Sequence, residues 1–339
     1  MGKRWYRFNL KSYQRNLFGL RNARGEICVQ EGRWLRLQSE GDNKIGFGEM
    51  VSLDGFGVES LKQVDQFCDF KKGLISEEII FSIPPNLSVT RSGFESAWRN
   101  LQGGCPRNSQ SFPVAALLPA GSKGIKTIIQ KKRLGFIYFK WKIGILNFED
   151  EKKIFNQLYQ QLPKNGKIRL DANGSLDEKT GYQWLSFLEN YSSVDFLEQP
   201  LQSNKLELMK KWTAKFSTPI ALDESIASSE SLEDLEWDGI YVVKPSLLGK
   251  WNSFIQWAKG REENIVLSTA FESPVGVDNI LKLAEDINLV RPLGFGVSDY
   301  LPQVDRKYHG TAPHIKRCLA YDQLDPFFHQ YSENTKENP

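Results

Sequence analysis

Cysteine and histidine are scarce in this chain of 339 residues, which has four of the first and three of the second. Cys28, Cys68, Cys105 and Cys318 are scattered, with no C-x-x-C pair. This spacing excludes a disulfide framework and predicts reduced, inert thiols of a cytoplasmic protein. His309, His314 and His329 all lie late in the chain and are expected to be structural or solvated. Excess charge is also missing. Lys plus Arg number 44 against 41 Asp plus Glu, a net charge of +3, too little for the basic footprint of a nucleic-acid binder. No apolar run approaches the roughly 20 residues of a membrane helix. The first ten residues alternate through Trp5-Tyr6-Arg7-Phe8 without the apolar stretch of a signal peptide. Tyr6 stands where a myristoylation motif beginning at Gly2 wants Ser or Thr. No low-complexity segment is present. Nucleic acid and membrane are therefore excluded as partners, and the sequence carries no signal of oligomeric state.

What remains is the composition of an ordinary globular protein, 40% apolar and 25% charged, at a length for about two domains. Residues 1–105 read as an α+β domain. Strand patterns come first, at Trp5 to Tyr13, Ile27 to Gln38 and Lys44 to Glu49. Helical spacing follows, at Glu59 to Lys71 and Asn86 to Leu101. From Phe112 the pattern changes to short apolar runs: Val114 to Leu118, Phe136 to Ile143, Lys167 to Asp171, Val194 to Glu198, Pro219 to Asp223, Gly239 to Lys244, Ile265 to Ser268, and more weakly Gly294 to Val297. Helices fit between them, at Glu149 to Leu162, Asp177 to Leu188, Lys205 to Phe216, Trp251 to Lys259 and Val277 to Leu289. This is α/β alternation, and eight strands match a parallel barrel over residues 106–304 better than an open sheet. Residues 305–339 are expected to pack on the N-terminal domain and to end in a frayed polar tail.

The informative fact is what closes each barrel strand. Lys140-Trp141-Lys142 ends the second, Asp171 the third, Glu198 the fourth, Asp223 the fifth and Lys244 the sixth. Active sites of such barrels lie at the C-terminal ends of the strands, so these charges are expected to share one mouth. Three carboxylates there cannot all stay charged and unpaired. A hard divalent cation resolves the conflict, and an oxygen-only donor set suits Mg²⁺ or Mn²⁺ rather than zinc. Each acid taken alone also reads as a helix N-cap or a solvated loop charge. Lys140 and Lys142 differ by two positions and so share one face of a strand, where neighbouring ammonium groups are expected to depress each other's pKa and leave a usable base. Lys244 faces them from the opposite side of an eight-membered ring. Arg169 shares the inward face of Asp171, so it is an expected substrate contact, with a structural salt bridge as its alternative.

The order K-x-K, D-x-N, E-x-P, D-E-S, K-P after an α+β domain resembles the enolase superfamily, in particular its muconate-lactonizing subgroup. The resemblance covers most of the chain. It implies a modified TIM barrel of the (β/α)7β type with an N-terminal α+β capping domain. It further implies Mg²⁺ on Asp171, Glu198 and Asp223, lysines Lys142 and Lys244 flanking a small-molecule carboxylate, and proton abstraction next to that carboxylate. Lys140 would tune Lys142, and Asn173 and Glu224 would support the metal ligands. Within the subgroup the chain is most similar to the dehydratases that make an aromatic product. The signatures are Lys140-Trp141-Lys142-Ile143-Gly144, Arg169-Leu170-Asp171-Ala172-Asn173-Gly174, Gly46-Phe47-Gly48-Glu49, and Leu53 to Glu59. The strand-seven substrate segment is echoed by Ser268-Thr269-Ala270-Phe271-Glu272-Ser273, which implies Ser268 and Thr269 as substrate contacts. Loops Leu17 to Glu26 and Glu49 to Val58 are candidate lids. Racemization of N-acylamino acids, cycloisomerization and dipeptide epimerization are the alternatives. Against the last, Val297-Ser298-Asp299 keeps one half of the Asp-x-Asp pair that the epimerases carry. A barrel that binds a metal or carboxylate without catalysis is the reading from a different class.

Overall fold

The computed structural model describes residues 4–22, 25–53, 56–103, 110–227, 229, 231–306 and 312–317. The N-terminal sheet is antiparallel and has the order β3-β2-β1-β4, from β1 (Trp5–Asn22), β2 (Gly25–Ser39), β3 (Ile45–Val51) and β4 (Leu74–Ser76). Strand β1 changes the face it buries. Tyr6 and Phe8 are buried on one face, with Leu10 half-buried beside them, whereas Tyr13, Arg15 and Leu17 are buried on the other. Side chains alternate faces with a period of two, so the odd spacing between Leu10 and Tyr13 turns the second half of the strand to a different neighbour. The pairing Lys11↔Trp34 puts Trp34 on the face of Tyr13, and Leu10↔Leu35 puts Leu35 with the first set. The apolar pattern stops at Tyr13, while the strand runs on to Asn22, because the next buried position holds Arg15.

Three helices cover the first face: α1 (Leu61–Lys71), α2 (Glu77–Ser82) and α3 (Ser88–Gly103). The last starts after a 3-10 turn at Pro85–Leu87, where the helical pattern had predicted one continuous helix. It is buried along most of its length between the sheet and the barrel. Its approach to β3 is close: a Cβ on Gly48 would lie 2.1 Å from the Gly93 carbonyl oxygen. Gly48→Ala therefore forces two backbones apart and is expected to destabilise the fold by ~1–3 kcal/mol, measurable as a lowered denaturation midpoint. Cys68 of α1 is a buried free thiol that burial, then Asp65 and Asp69, pushes up to about 12. The other three cysteine side chains lie outside the described residues.

Eight parallel strands form the barrel: β5 (Ser111–Leu118), β6 (Tyr138–Lys142), β7 (Lys167–Asp171), β8 (Val194–Glu198), β9 (Ile220–Leu222), β10 (Ile240–Val243), β11 (Ile265–Leu267) and β12 (Leu293–Gly296). They pair in chain order, β12 pairs with β5, and a parallel bridge from Ser268 to Gly294 joins β11 to β12. Gly296 permits the β12–β5 pairing, since a Cβ there would meet the Ala115 carbonyl oxygen at 2.0 Å. The outer helices are α4 (Lys123–Arg133), α5 (Phe148–Gln161), α6 (Glu178–Leu188), α7 (Leu206–Lys215), α8 (Glu224–Ala227), α9 (Pro245–Leu248), α10 (Trp251–Ala258) and α11 (Pro274–Asp286). Of residues 305–339, only 305, 306 and 312–317 are described. Asp305, in α12 (Gln303–Arg306), pairs with Arg15 of the N-terminal sheet at 2.6 Å, whereas β13 (His314–Lys316) adds antiparallel to barrel strand β5 and leaves His314 exposed. His309 and His329 lie outside the described residues. Among the described residues no helix is long and apolar enough to cross a membrane.

Candidate active site

Successive barrel strands deliver the charged side chains to one mouth because Lys142, Asp171 and Glu198 are the last residues of their strands, Asp223 and Lys244 the first beyond theirs, and Lys140 lies two before Lys142 on the same face. Lys140 Nζ lies 2.7 Å from Glu198 Oε1 and 3.0 Å from Asp171 Oδ2. Lys142 Nζ lies 3.1 Å from the same Asp171 oxygen and donates a further bond to Asn173 Oδ1. Across the ring, Lys244 Nζ contacts both carboxylate oxygens of Asp223. Strands β6 and β10 stand four apart in the order of eight, so Lys142 and Lys244 face each other over a shared pocket. That pocket is also walled by Leu53, Phe56 and Phe271.

The electrostatics of the mouth follow from burial. Burial disfavours the charge of Lys140, but Asp171, Glu198 and Asp223 outweigh it and hold its ammonium well above the ordinary lysine range. The expectation that paired ammonium groups lower this lysine is thereby corrected, because three carboxylates count for more than one neighbouring cation. Asp171 is likewise held well below the carboxylate range, with burial overcome by Lys140 and Lys142. Glu198 is pushed up to about 7, by burial first and then by Asp171, with Lys140 opposing. Glu224 is also pushed up to about 7, by burial and then by Asp223 and Asp171.

Support comes from the loops. The Asn173 backbone N–H donates to Asp171 Oδ1 at 3.0 Å, and its side-chain amide donates to Glu224 Oε1 at 3.2 Å. Gln199 has no pattern that sequence reasoning could use. It is fully buried at a positive φ of 37°, and its Oε1 accepts from the N–H groups of Asp223 and Ser225 at 3.0 and 3.2 Å. It therefore ties the end of β8 to the end of β9. Glu151, in the first turn of α5, accepts from the N–H groups of Gly144, Ile145 and Leu146 at 2.9–3.1 Å and fixes the loop after Lys142. Phe56, within a candidate lid, places its ring 4.4 Å beneath the Lys244 ammonium. Ser268 and Thr269 line the pocket, and Thr269 Oγ1 donates to buried Glu272 at 2.5 Å.

Arg169 does not reach the mouth. It is 1% exposed, donates to Asp195 at 2.8 Å and to the Pro292 carbonyl at 3.0 Å, and lies 4.9 Å over the Phe196 ring. Two residues before Asp171, it sits on the same face but about 7 Å deeper, at roughly 3.3 Å of rise per residue. Phe196, Ala221 and Val242 occupy the matching positions on the next strands, two residues before Glu198, Asp223 and Lys244. The salt bridge, not the substrate contact, is what the geometry gives this residue.

Three buried acids at adjacent strand ends, Asp171, Glu198 and Asp223, are the oxygen donors a divalent cation such as Mg²⁺ uses. As they stand, no three acidic, His or Cys side chains among the described residues converge closely enough to hold a metal ion, and lysine ammonium groups contact all three acids. The residues fit the cation in donor chemistry and in charge.

Residues 126–248 match the family model described as enolase C-terminal domain-like. An o-succinylbenzoate synthase of Thermosynechococcus vestitus is 31% identical over 312 residues, which span 90% of this chain and 94% of the relative. The chain belongs to the o-succinylbenzoate synthase family. Membership makes it a lyase of the enolase superfamily. A second member, from Pectobacterium atrosepticum, is 25% identical over 90% of this chain and 93% of its own. The crystal structure of o-succinylbenzoate synthase from Thermosynechococcus elongatus BP-1, complexed with Mg in the active site, superposes with a TM-score of 0.82 at 28% identity, covering 96% of this chain and 99% of that one. The parallel barrel that the strand pattern predicted, with the N-terminal α+β domain that the resemblance implied, is thus the architecture shared with that structure.

Proposed function

We propose that the chain is an o-succinylbenzoate synthase, removing water from 2-succinyl-6-hydroxy-2,4-cyclohexadiene-1-carboxylate to give o-succinylbenzoate. The observation that carries this reading is the pair of ammonium groups, Lys142 and Lys244, opposed across a pocket floored by Asp171 and Asp223. Lys142, in its neutral form, takes the proton next to the substrate carboxylate, and Asp171 and Asn173 aim its Nζ at that position. The same nitrogen returns the proton to the departing hydroxyl, so one H⁺ and one OH⁻ leave as water and the ring becomes aromatic. Lys244, steadied by Phe56, faces the negative charge that develops when the proton leaves, where a fixed cation lowers the barrier most. Lys140 pairs with both Asp171 and Glu198. Held by Asp171, Glu198 and Asp223, Mg²⁺ would supply further positive charge against the substrate carboxylate, and Mn²⁺ shares the preference for oxygen donors. Ser268 and Thr269 are the substrate contacts from β11. The reading gives the chain a cytoplasmic step in menaquinone or phylloquinone biosynthesis.

The lone acid near strand eight speaks against dipeptide epimerization. Asp299 forms an ion pair with Lys131 at 2.6 Å, half exposed, and is not among the pocket-lining residues. Racemization of an N-acylamino acid is the second reading, favoured by the same opposed lysines. The test follows diene absorbance with and without Mg²⁺. Metal-dependent conversion to the benzoate is expected. Its absence in folded, metal-loaded protein, together with α-deuterium exchange into an acylated amino acid in D₂O, would replace dehydration with racemization.

A further inference from the structure

The second half of β1 crosses toward the barrel mouth, and its three buried residues each hold a different piece of it. Tyr13 donates to Glu49, whose carboxylate accepts from Ser273 N at 2.8 Å, Ser273 Oγ at 2.6 Å and Gly276 N at 2.8 Å at the start of α11. Leu17 packs with Val297 and Leu301 beyond β12. Between them Arg15, 3% exposed, pairs with Asp305, and its other terminal nitrogen donates to the carbonyl oxygen of Phe271.

Phe271 is where this matters. Its φ is +63°, a left-handed conformation that a bulky non-glycine side chain rarely adopts. Such a residue persists only where its surroundings over-determine it. Here the peptide is held on both sides: Phe271 N–H donates to Thr269 Oγ1 at 2.8 Å, and Arg15 binds the Phe271 carbonyl. The conformation puts the Phe271 side chain into the wall of the pocket that holds Lys142 and Lys244. A fully buried guanidinium is costly to desolvate. Asp305 compensates its charge, and the planar fork leaves a second nitrogen free to reach the carbonyl, which a lysine holding the same acid would not do.

We infer that Arg15 is a positioning residue for ligand recognition: it holds Phe271 in its left-handed conformation and so sets the apolar wall against which the substrate's ring is seated. The inference rests on the pocket being the active site of the proposed reaction, and it names how the N-terminal sheet takes part in recognition without touching the substrate. It extends to other carboxylates of similar ring size, because the wall reads shape rather than charge.

The experiment measures binding of o-succinylbenzoate by calorimetry in the full-length protein with Mg²⁺, so that its outcome does not depend on turnover. Arg15→Lys keeps a cation against Asp305 but gives up the Phe271 carbonyl, and Arg15→Met with Asp305→Asn removes both charges together and guards against a buried unpaired acid. Both are expected to weaken binding at least fivefold. Phe271→Gly should weaken it as well, since the wall is lost, and adding Arg15→Lys to it should then change the affinity by less than twofold. A merely structural Arg15 would give additive losses. Weakening of less than fivefold in both Arg15 variants, or additivity with Phe271→Gly, overturns the inference. A wild-type protein that binds the benzoate but fails to dehydrate the diene defeats the proposed reaction instead and leaves the Arg15 comparison intact.

Discussion

Lys142→Ala is expected to abolish dehydration, lowering kcat by ~10²–10⁴-fold, the range for a lost general acid–base group. Binding of Mg²⁺ should survive, because Asp171 keeps its contact with Lys140 at 3.0 Å and neither Glu198 nor Asp223 depends on Lys142. Lys142→Arg separates charge from basicity. The guanidinium can replace the contact with Asp171 but does not give up its proton in a protein, so this variant should be as inactive as the alanine. Steady-state rates by diene absorbance, with metal affinity measured on the same samples, decide the matter. Retained turnover in either variant would sink the assignment of Lys142 as the base.

Lys244 should behave differently under the same pair of substitutions. Lys244→Ala removes a cation facing the developing charge and is expected to cost ~10²–10³-fold in kcat. Lys244→Arg keeps that cation and should recover a substantial part of the loss. This contrast also separates the two readings of the site. A racemase needs a base on each face, so arginine would be as damaging at 244 as at 142. An enzyme that uses one base and one fixed charge tolerates arginine only at 244.

The charges at the strand ends were legible because they recur at the spacing of one βα unit, 27 residues from Asp171 to Glu198 and 25 more to Asp223. Periodicity gives the face of a side chain but not its depth. Arg169 therefore looked like a companion of Asp171, although it lies one layer beneath it against Asp195 and Phe196. Gly46-Phe47-Gly48-Glu49 stood out only as a signature. The fold gives it a reason, with Gly48 admitting α3 and Glu49 capping α11 from another domain. Gln199, Glu151 and Arg15 left no pattern, and Phe56 stood only inside a signature and a candidate lid, because each acts on groups that neighbour it only after folding. The electrostatic character of Lys140 was misread for the same reason. Its sequence neighbour is an ammonium, but its spatial neighbours are carboxylates.

The switch of face within β1 makes the spacer between Leu10 and Tyr13 a kind of reading frame. Deleting one residue there would leave Tyr6 and Phe8 in register with the helices of their own domain and rotate every side chain beyond the deletion by half a turn. Tyr13, Arg15 and Leu17 would leave the barrel together. Length, rather than composition, is thus what this stretch of chain must keep. Ser12, which is exposed, is open to substitution but closed to insertion or deletion, the reverse of what a surface hairpin ordinarily tolerates.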